Sequence, residues 1–154
     1  SSDVCSSDLV NQALLGFSDA DLSVTEKDGK IYVSLSQNLL FRSGSKTINR
    51  EGRNAISRLG EVLQQNPDIQ ITVEGHTDTD GDADFNWDLS VQRATSVIKE
   101  LTDSGVDPKR IIASGRGEYF PVAPNTTAAG KAQNRRTEII LTPNLDALYE
   151  IINN

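Results

Sequence analysis

The clearest alternation of apolar and polar residues begins at residue 69. Apolar side chains occupy every second position there, at Ile69, Ile71 and Val73, which is the period of a strand with one buried face. Gly75 ends this strand. The polar segment that follows lies just beyond the strand's carboxyl end, at the edge of an α/β layer where ligands usually bind. We therefore predict a ligand-binding loop from His76 onward.

Beyond Gly81 the period changes to that of a helix. Apolar residues recur at steps of four and three, and we expect them to form the buried face: Trp87, Val91, Ala94, Ile98 and Leu101. Asn86, Ser90 and Arg93 form a separate polar stripe on the same helix. Arg93 lies two turns in, so its side chain can reach back toward Asp78 in the loop.

The remaining segments give an order of strands and helices along the chain that is typical of an α+β protein. Asp28-Gly29 is the strongest short hairpin signal, between strands predicted at residues 21–25 and 30–35. The other predicted elements are a helix over 48–65, strands over 110–114 and 137–142, and a short C-terminal helix after Pro143. This order predicts a two-layer α+β sandwich. Two main helices cover one face of a mixed four-stranded sheet, and the N-terminal hairpin and short C-terminal helix are added to it.

A chain of 154 residues suits one compact domain. We place that domain at residues 19–142, after a disordered lead-in or linker over 1–18 and before a helical tail over 143–154. Residues 1–9 form a Ser/Asp near-repeat without periodicity. We therefore expect them to contribute nothing to the fold, and whether they are native to the protein stays open.

The charge balance excludes several partners. The formal net charge is −7, whereas nucleic acids and anionic lipids need a surplus of Lys and Arg. Cys5 is the only cysteine, so it cannot form an internal disulfide, and the redox compartment stays undetermined. No apolar run approaches the roughly 20 residues of a membrane span. If the full protein is anchored in a membrane, we expect the N-terminal anchor to be missing from this chain.

A carboxylate and a guanidinium held near each other can bind a zwitterionic amino-acid centre. Asp78 can accept from an ammonium group, and Arg93 can grip a carboxylate with the two-point geometry that lysine lacks. The alternative is a surface salt bridge that ties the loop to the helix.

His76 is the only histidine. Because no second histidine or cysteine lies nearby, we interpret it as an orienting group that hydrogen-bonds the loop backbone. Asn86 and Thr77 are expected to hydrogen-bond the ligand or the loop, with simple turn chemistry as the alternative. Trp87 is expected in the core rather than as a sugar platform.

An alternating acidic run resembles the start of a calcium loop: Asp78, Asp80, Asp82 and Asp84. However, Ala83 and Leu89 stand where an EF-hand requires Gly and Glu. We therefore predict no specific calcium site. Asp82 and Asp84 are instead expected to cap the following helix and complement its dipole.

Many short motifs in order resemble the OmpA/MotB-type peptidoglycan-binding domain over roughly residues 20–142. They are Leu39-Leu40-Phe41, Ser43-Gly44-Ser45, Gly75-His76-Thr77-Asp78, Asn86, Leu89-Ser90, Arg93-Ala94, Gly115-x-Gly117-Glu118, Pro121 and Asn134-Arg135-Arg136. The resemblance implies a non-enzymatic module that grips the meso-diaminopimelate of peptidoglycan stem peptides. In that family a loop Asp accepts from the ligand's ammonium, and an Arg fifteen positions later pairs with its carboxylate. Asp78 and Arg93 match that pair here.

The resulting prediction is a ligand site without catalytic residues, metal or cofactor. Its residues are His76, Thr77, Asp78, Asn86, Leu89, Arg93 and Arg135. Either Arg135 or Arg136 could reach the ligand carboxylate or Glu118, and the sequence does not choose between them. The resemblance also implies a periplasmic location in the cell envelope, associated with the outer membrane, with the domain anchoring its protein to the cell wall.

Two other functions stay open from the sequence. One is an interaction module that forms a homodimer through the C-terminal helix and binds no ligand. The other is a metal-dependent hydrolase built on His76 and the acidic run.

Overall fold

The computed structural model describes residues 6–41 and 47–143, with side chains from residue 9 onward in the first helix. The predicted C-terminal helix, Cys5 and the segment 43–45 lie outside these residues. The helices are α1 (Ser6–Ala13), α2 (Gln37–Leu40), α3 (Arg50–Gln65), α4 (Ala83–Asp103) and α5 (Ala128–Asn134). The strands are β1 (Leu22–Lys27), β2 (Lys30–Ser36), β3 (Gln70–His76), β4 (Ile111–Gly115) and β5 (Arg136–Thr142). A short 3-10 helix at Pro108–Arg110 precedes β4.

The strands form a single mixed sheet in the order β1-β2-β5-β3-β4. Only β3 and β4 pair in parallel, and the other neighbours are antiparallel. The α+β prediction is confirmed, but the hairpin is part of the main sheet, which therefore has five strands. Asp28 and Gly29 both adopt positive φ, 54° and 76°, as a two-residue type I′ turn between twisted strands requires.

One face of the sheet carries the core. Ile71 and Val73 of β3 and Ile139 and Leu141 of β5 are buried in one apolar cluster with residues of α3 and α4. The opposite face is more polar, because alternate positions such as Glu74 point away from the helices. This face is only partly exposed, and it carries charged residues at the ends of β3 and β5.

The N-terminal segment differs from the predicted disordered lead-in. Residues 6–13 form α1, and Val10 and Leu14 are buried in the core cluster. This packing was not predicted, because residues 1–9 lack the periodicity of a helix. The partners of Val10 and Leu14 come from α3 and β1, against which α1 packs. Contacts between elements that are distant in the chain cannot be predicted from the local sequence.

The buried face of α4 is also not the predicted one. Trp87 is 41% exposed and Val91 is exposed, so the prediction of Trp87 in the core was wrong. The buried residues are Asn86, Ser90, Ala94, Val97 and Leu101. The cause is the close approach of the helix to the sheet: a Cβ on Gly75 would lie 2.0 Å from the Ser90 carbonyl oxygen. Only small side chains fit between the two backbones.

The predicted helix ends are found in part. Asp82 occupies the predicted N-cap position of α4, but its side chain makes no capping hydrogen bond. Asn49, at the N-cap of α3, makes none either. Asp84 lies in the first turn of α4, where its charge complements the helix dipole. Gly105 follows α4 with φ of 107°, the left-handed conformation that often ends a helix. In the described part of the chain, no helix has the length and apolar character to cross a membrane.

Candidate functional site

A pocket of about 420 Å³ opens where β3 ends and the loop to α4 begins. Its lining comes from this loop, from α4, from α2 and from the residue before β5: Gln37, Asn38, Thr77, Asp78, Asp80, Gly81, Phe85, Asn86, Leu89, Arg93 and Arg135. Six of the seven predicted site residues border this one pocket. The exception is His76.

Asp78 is buried at the base of the loop. Its Oδ1 accepts a hydrogen bond of 2.9 Å from the Asp80 amide, and its Oδ2 accepts one of 2.5 Å from Arg135 Nη1. Arg135 reaches this position because β5 runs antiparallel beside β3, with Arg136 opposite His76. The pair therefore joins two elements that are distant in sequence, and it fixes the carboxylate in the pocket wall.

Arg93 borders the same pocket but does not pair with Asp78. Its Nη1 donates to Gln37 Oε1 at 3.0 Å, and its guanidinium carbon lies 5.6 Å from the centre of the Phe41 ring. Burial lowers the pKa of Arg93, nearby Arg135 lowers it further, and Asp78 opposes both effects. In the described part of the chain, the predicted salt bridge of Asp78 is thus made by Arg135. The one hydrogen bond that Arg93 makes among the described residues goes to Gln37.

Asn86 and Thr77 shape the loop from within. The Asn86 Nδ2 group donates to the backbone oxygens of Asp78 and Asp80, at 3.3 and 3.1 Å, and approaches Glu118 Oε1 at 3.4 Å. The Thr77 hydroxyl donates to the Asp78 carbonyl at 2.9 Å. These contacts are the turn chemistry that the sequence left as one of two alternatives.

Arg135 and Arg136 have different surroundings, which the sequence could not separate. Arg136 is buried and donates to the Phe120 carbonyl at 3.1 Å, with Glu138 Oε2 at 3.3 Å. Burial lowers the pKa of Arg136, and Glu138 opposes that shift. Arg135, in contrast, faces Asp78 in the pocket.

His76 does not orient the loop by hydrogen-bonding its backbone, as the sequence suggested. The side chain is 2% exposed, and neither ring nitrogen has a hydrogen-bond partner among the described residues. Its Nε2 instead lies within ion-pair distance of two carboxylates, 3.0 Å from Glu74 Oε1 and 3.2 Å from Glu138 Oε2. His76 therefore belongs to the polar face of the sheet and not to the pocket.

The acidic run makes separate contacts. Asp80 pairs with Lys131 Nζ at 2.9 Å, and Asp82 and Asp84 lie at the start of α4. Among the described residues, the group of carboxylates and imidazoles close enough to share a metal ion is Glu74, His76 and Glu138. The run itself forms no such group in this part of the chain.

Several residues of the pocket were not predicted from the sequence. Gln37, Asn38 and Phe85 carry no motif or spacing that marks them. The single local signal is Ser36, whose hydroxyl accepts from the Leu39 amide at 3.1 Å and so starts α2. This short helix directs Gln37 toward Arg93.

Asn134 was recognised in a motif but without a role. It is buried, and its Oδ1 accepts from the amides of Val122 and Ala123 at 2.8 and 3.0 Å. Its Nδ2 donates to the Ala123 carbonyl and to Asn125 Oδ1, both at 2.8 Å. Asn134 thereby fixes the loop before α5 against the end of that helix, directly before Arg135.

In an α+β sandwich, a charged pocket beyond the end of a central strand lies where ligand sites are commonly found. The model of the OmpA family matches residues 40–135, and the chain belongs to this family. It is 43% identical over 122 residues to the "Probable lipoprotein YiaD" of Escherichia coli. The matched region covers 79% of this chain and 56% of that protein.

Solved structures agree in fold. The cell wall anchor of the T6SS from Pseudomonas aeruginosa superposes with a TM-score of 0.76 at 30% identity, covering 87% of this chain and 96% of that one. The peptidoglycan-associated lipoprotein from Burkholderia pseudomallei superposes with a TM-score of 0.63 at 27% identity. The match covers 68% of this chain and 88% of that one. The chain spans about half the length of the first curated relatives that it matches.

Proposed function

We propose that this domain binds peptidoglycan without turning it over, through the meso-diaminopimelate residue of the stem peptides. In this role it anchors an envelope protein to the cell wall from the periplasmic side, close to the outer membrane. The names of the related cell wall anchor and peptidoglycan-associated lipoprotein support the polymer as partner. The choice of diaminopimelate rests on the pocket itself.

The observation that carries the proposal is the charge pattern of the pocket. One buried carboxylate, Asp78, stands beside two guanidinium groups, Arg93 and Arg135, within about 420 Å³. The distal centre of diaminopimelate bears one ammonium and one carboxylate on the same carbon. We assign the ammonium to Asp78 and the carboxylate to Arg93, with Arg135 holding Asp78 in place. Asn86 and Thr77 keep the loop in shape, and Leu89 gives an apolar wall.

The pocket favours such a ligand because Arg93 is half-buried and incompletely paired among the described residues. Its one hydrogen bond among the described residues goes to the neutral side chain of Gln37. A ligand carboxylate would supply the missing charge partner, in a position where burial already lowers the pKa of the guanidinium. Each charge-assisted hydrogen bond contributes about 1.5–3 kcal/mol. Loss of one should therefore weaken binding roughly ten- to a hundredfold.

The test is co-sedimentation with purified sacculi. Asp78→Ala and Arg93→Ala, each shown to be folded by circular dichroism, should lose most of the pelleted fraction. Asp88→Ala and Arg53→Ala remove the same charges from exposed positions and should pellet as the wild type does.

If both pocket variants pellet as the wild type does, this site assignment is wrong. That result would favour an interaction module without this ligand. Release of soluble muropeptides during the assay would instead point to a hydrolase.

A further inference from the structure

A cluster of three potential metal ligands lies outside the pocket, on the sheet face that α3 and α4 do not cover. Glu74 and His76 come from β3, and Glu138 comes from β5. The His76 Nε2 atom is 3.0 Å from Glu74 Oε1 and 3.2 Å from Glu138 Oε2. All three ligand atoms lie within 4.8 Å of one another.

The register of the sheet creates this cluster. Glu74 stands directly opposite Glu138 in the antiparallel β3–β5 pair, and His76 follows Glu74 by two residues on the same face. Like charges directly opposite each other destabilise a strand pair. A positive charge between the two carboxylates would therefore stabilise this position.

His76 itself is incompletely satisfied. It is almost fully buried, and among the described residues neither ring nitrogen makes a hydrogen bond. Leaving a buried polar group without a partner is unfavourable, and such groups in native structures call for an explanation. Its Nε2 nevertheless points into the space between the two carboxylates.

Two arginines lie at the edge of the cluster without filling it. Arg116 Nε is 3.3 Å from Glu74 Oε2, the oxygen that does not face His76. Arg136 Nη2 is 3.3 Å from Glu138 Oε2 and also donates to the Phe120 carbonyl. Arg116 therefore has the position of a group that orients a metal-ligating carboxylate from behind. Arg136, in contrast, shares the Glu138 Oε2 atom with His76.

We propose that Glu74, His76 and Glu138 form a binding site for one divalent transition-metal ion of the zinc class. Zinc bonds of about 2.0–2.2 Å to nitrogen and oxygen in tetrahedral geometry put neighbouring ligand atoms about 3.3 Å apart. The observed separations of 3.0 and 3.2 Å are close to this value. One imidazole and two carboxylates suit zinc-like ions, whereas calcium and magnesium prefer all-oxygen sites. The metal would tie β3 to β5 immediately before the pocket loop.

The probe is zinc chloride added to the chelator-treated chain and followed by isothermal titration calorimetry. The Cys5→Ser background removes the one thiol, which is itself a zinc ligand. We expect one zinc ion per chain, and at least tenfold weaker binding in Glu74→Gln and in Glu138→Gln. The control Asp84→Asn removes a carboxylate from the acidic run and should bind as the background does.

Cobalt gives a second readout that does not depend on the two glutamine variants. Its visible absorption bands should take the intense form of a tetrahedral site when it binds the Cys5→Ser chain, and excess zinc should abolish them. The proposal is overturned if the Cys5→Ser chain binds no zinc stoichiometrically, or if both glutamine variants, folded by circular dichroism, bind as tightly as the background.

Discussion

Arg135 donates a hydrogen bond to Asp78 across the pocket, with 2.5 Å between Nη1 and Oδ2. The carboxylate is buried, while Arg135 is partly exposed at the pocket mouth. Asp78 is therefore held by a cation other than Arg93, whose one hydrogen bond among the described residues goes to Gln37. The two guanidinium groups have separate tasks in the proposed site: one positions the acceptor, and the other binds.

We expect Arg135→Ala to weaken sedimentation with sacculi by roughly tenfold, because the Asp78 carboxylate loses the group that orients it and is left buried without its charge partner. Lys109→Ala removes the same charge from an exposed site and serves as the control. Unchanged binding by Arg135→Ala would show that Asp78 needs no such partner.

Arg93→Lys should bind diaminopimelate muropeptides nearly as poorly as Arg93→Ala, because an ammonium cannot reproduce a two-point grip on a carboxylate. The measurement is calorimetric titration with purified muropeptides.

Muropeptides with lysine in place of diaminopimelate provide the ligand control for that titration. They keep the ammonium but lack the distal carboxylate, so the wild type should bind them weakly and Arg93→Ala should lose little more. An equal loss of affinity for both muropeptides in Arg93→Ala would contradict the assignment of Arg93 to the carboxylate.

Asn134→Ala should lower the free energy of unfolding by about 2–4 kcal/mol. The substitution leaves backbone amides of the loop without their buried acceptor, and an unsatisfied buried group costs about 1–3 kcal/mol. Urea denaturation measures the change. Gln133→Ala, at the exposed neighbouring position, should stay within about 0.5 kcal/mol of the wild type. Similar values for both variants would remove the proposed role of Asn134.

Leu14→Ala should destabilise the domain by about 2–4 kcal/mol, since burial in the core makes the lost contacts and the cavity costly. Leu15→Ala is the matched control, because the adjacent side chain is 69% exposed whereas Leu14 is 4% exposed. Thermal and urea denaturation compare them. If both substitutions leave the stability unchanged, the packing of the segment 6–14 does not contribute to the stability of the fold.

The local elements followed from the sequence because their causes are local. Strand alternation at Ile69, Ile71 and Val73 depends only on which face is buried. The turn at Asp28-Gly29 depends on backbone conformations that these two residues adopt easily. The pocket loop was located correctly, since a polar segment after a buried strand must lie at the sheet edge. Motifs then identified the family to which the chain belongs.

Only the tertiary structure decided which side chains meet. The face of α4 that packs inward depends on how closely the sheet approaches, and Gly75 lets it approach so closely that Ser90 is buried and Trp87 is not. The pairing of Asp78 with Arg135, and the position of Glu138 beside His76, depend on β5 inserting between β2 and β3. Periodicity specifies the faces of single elements, whereas contacts between elements depend on the register of strands far apart in the chain.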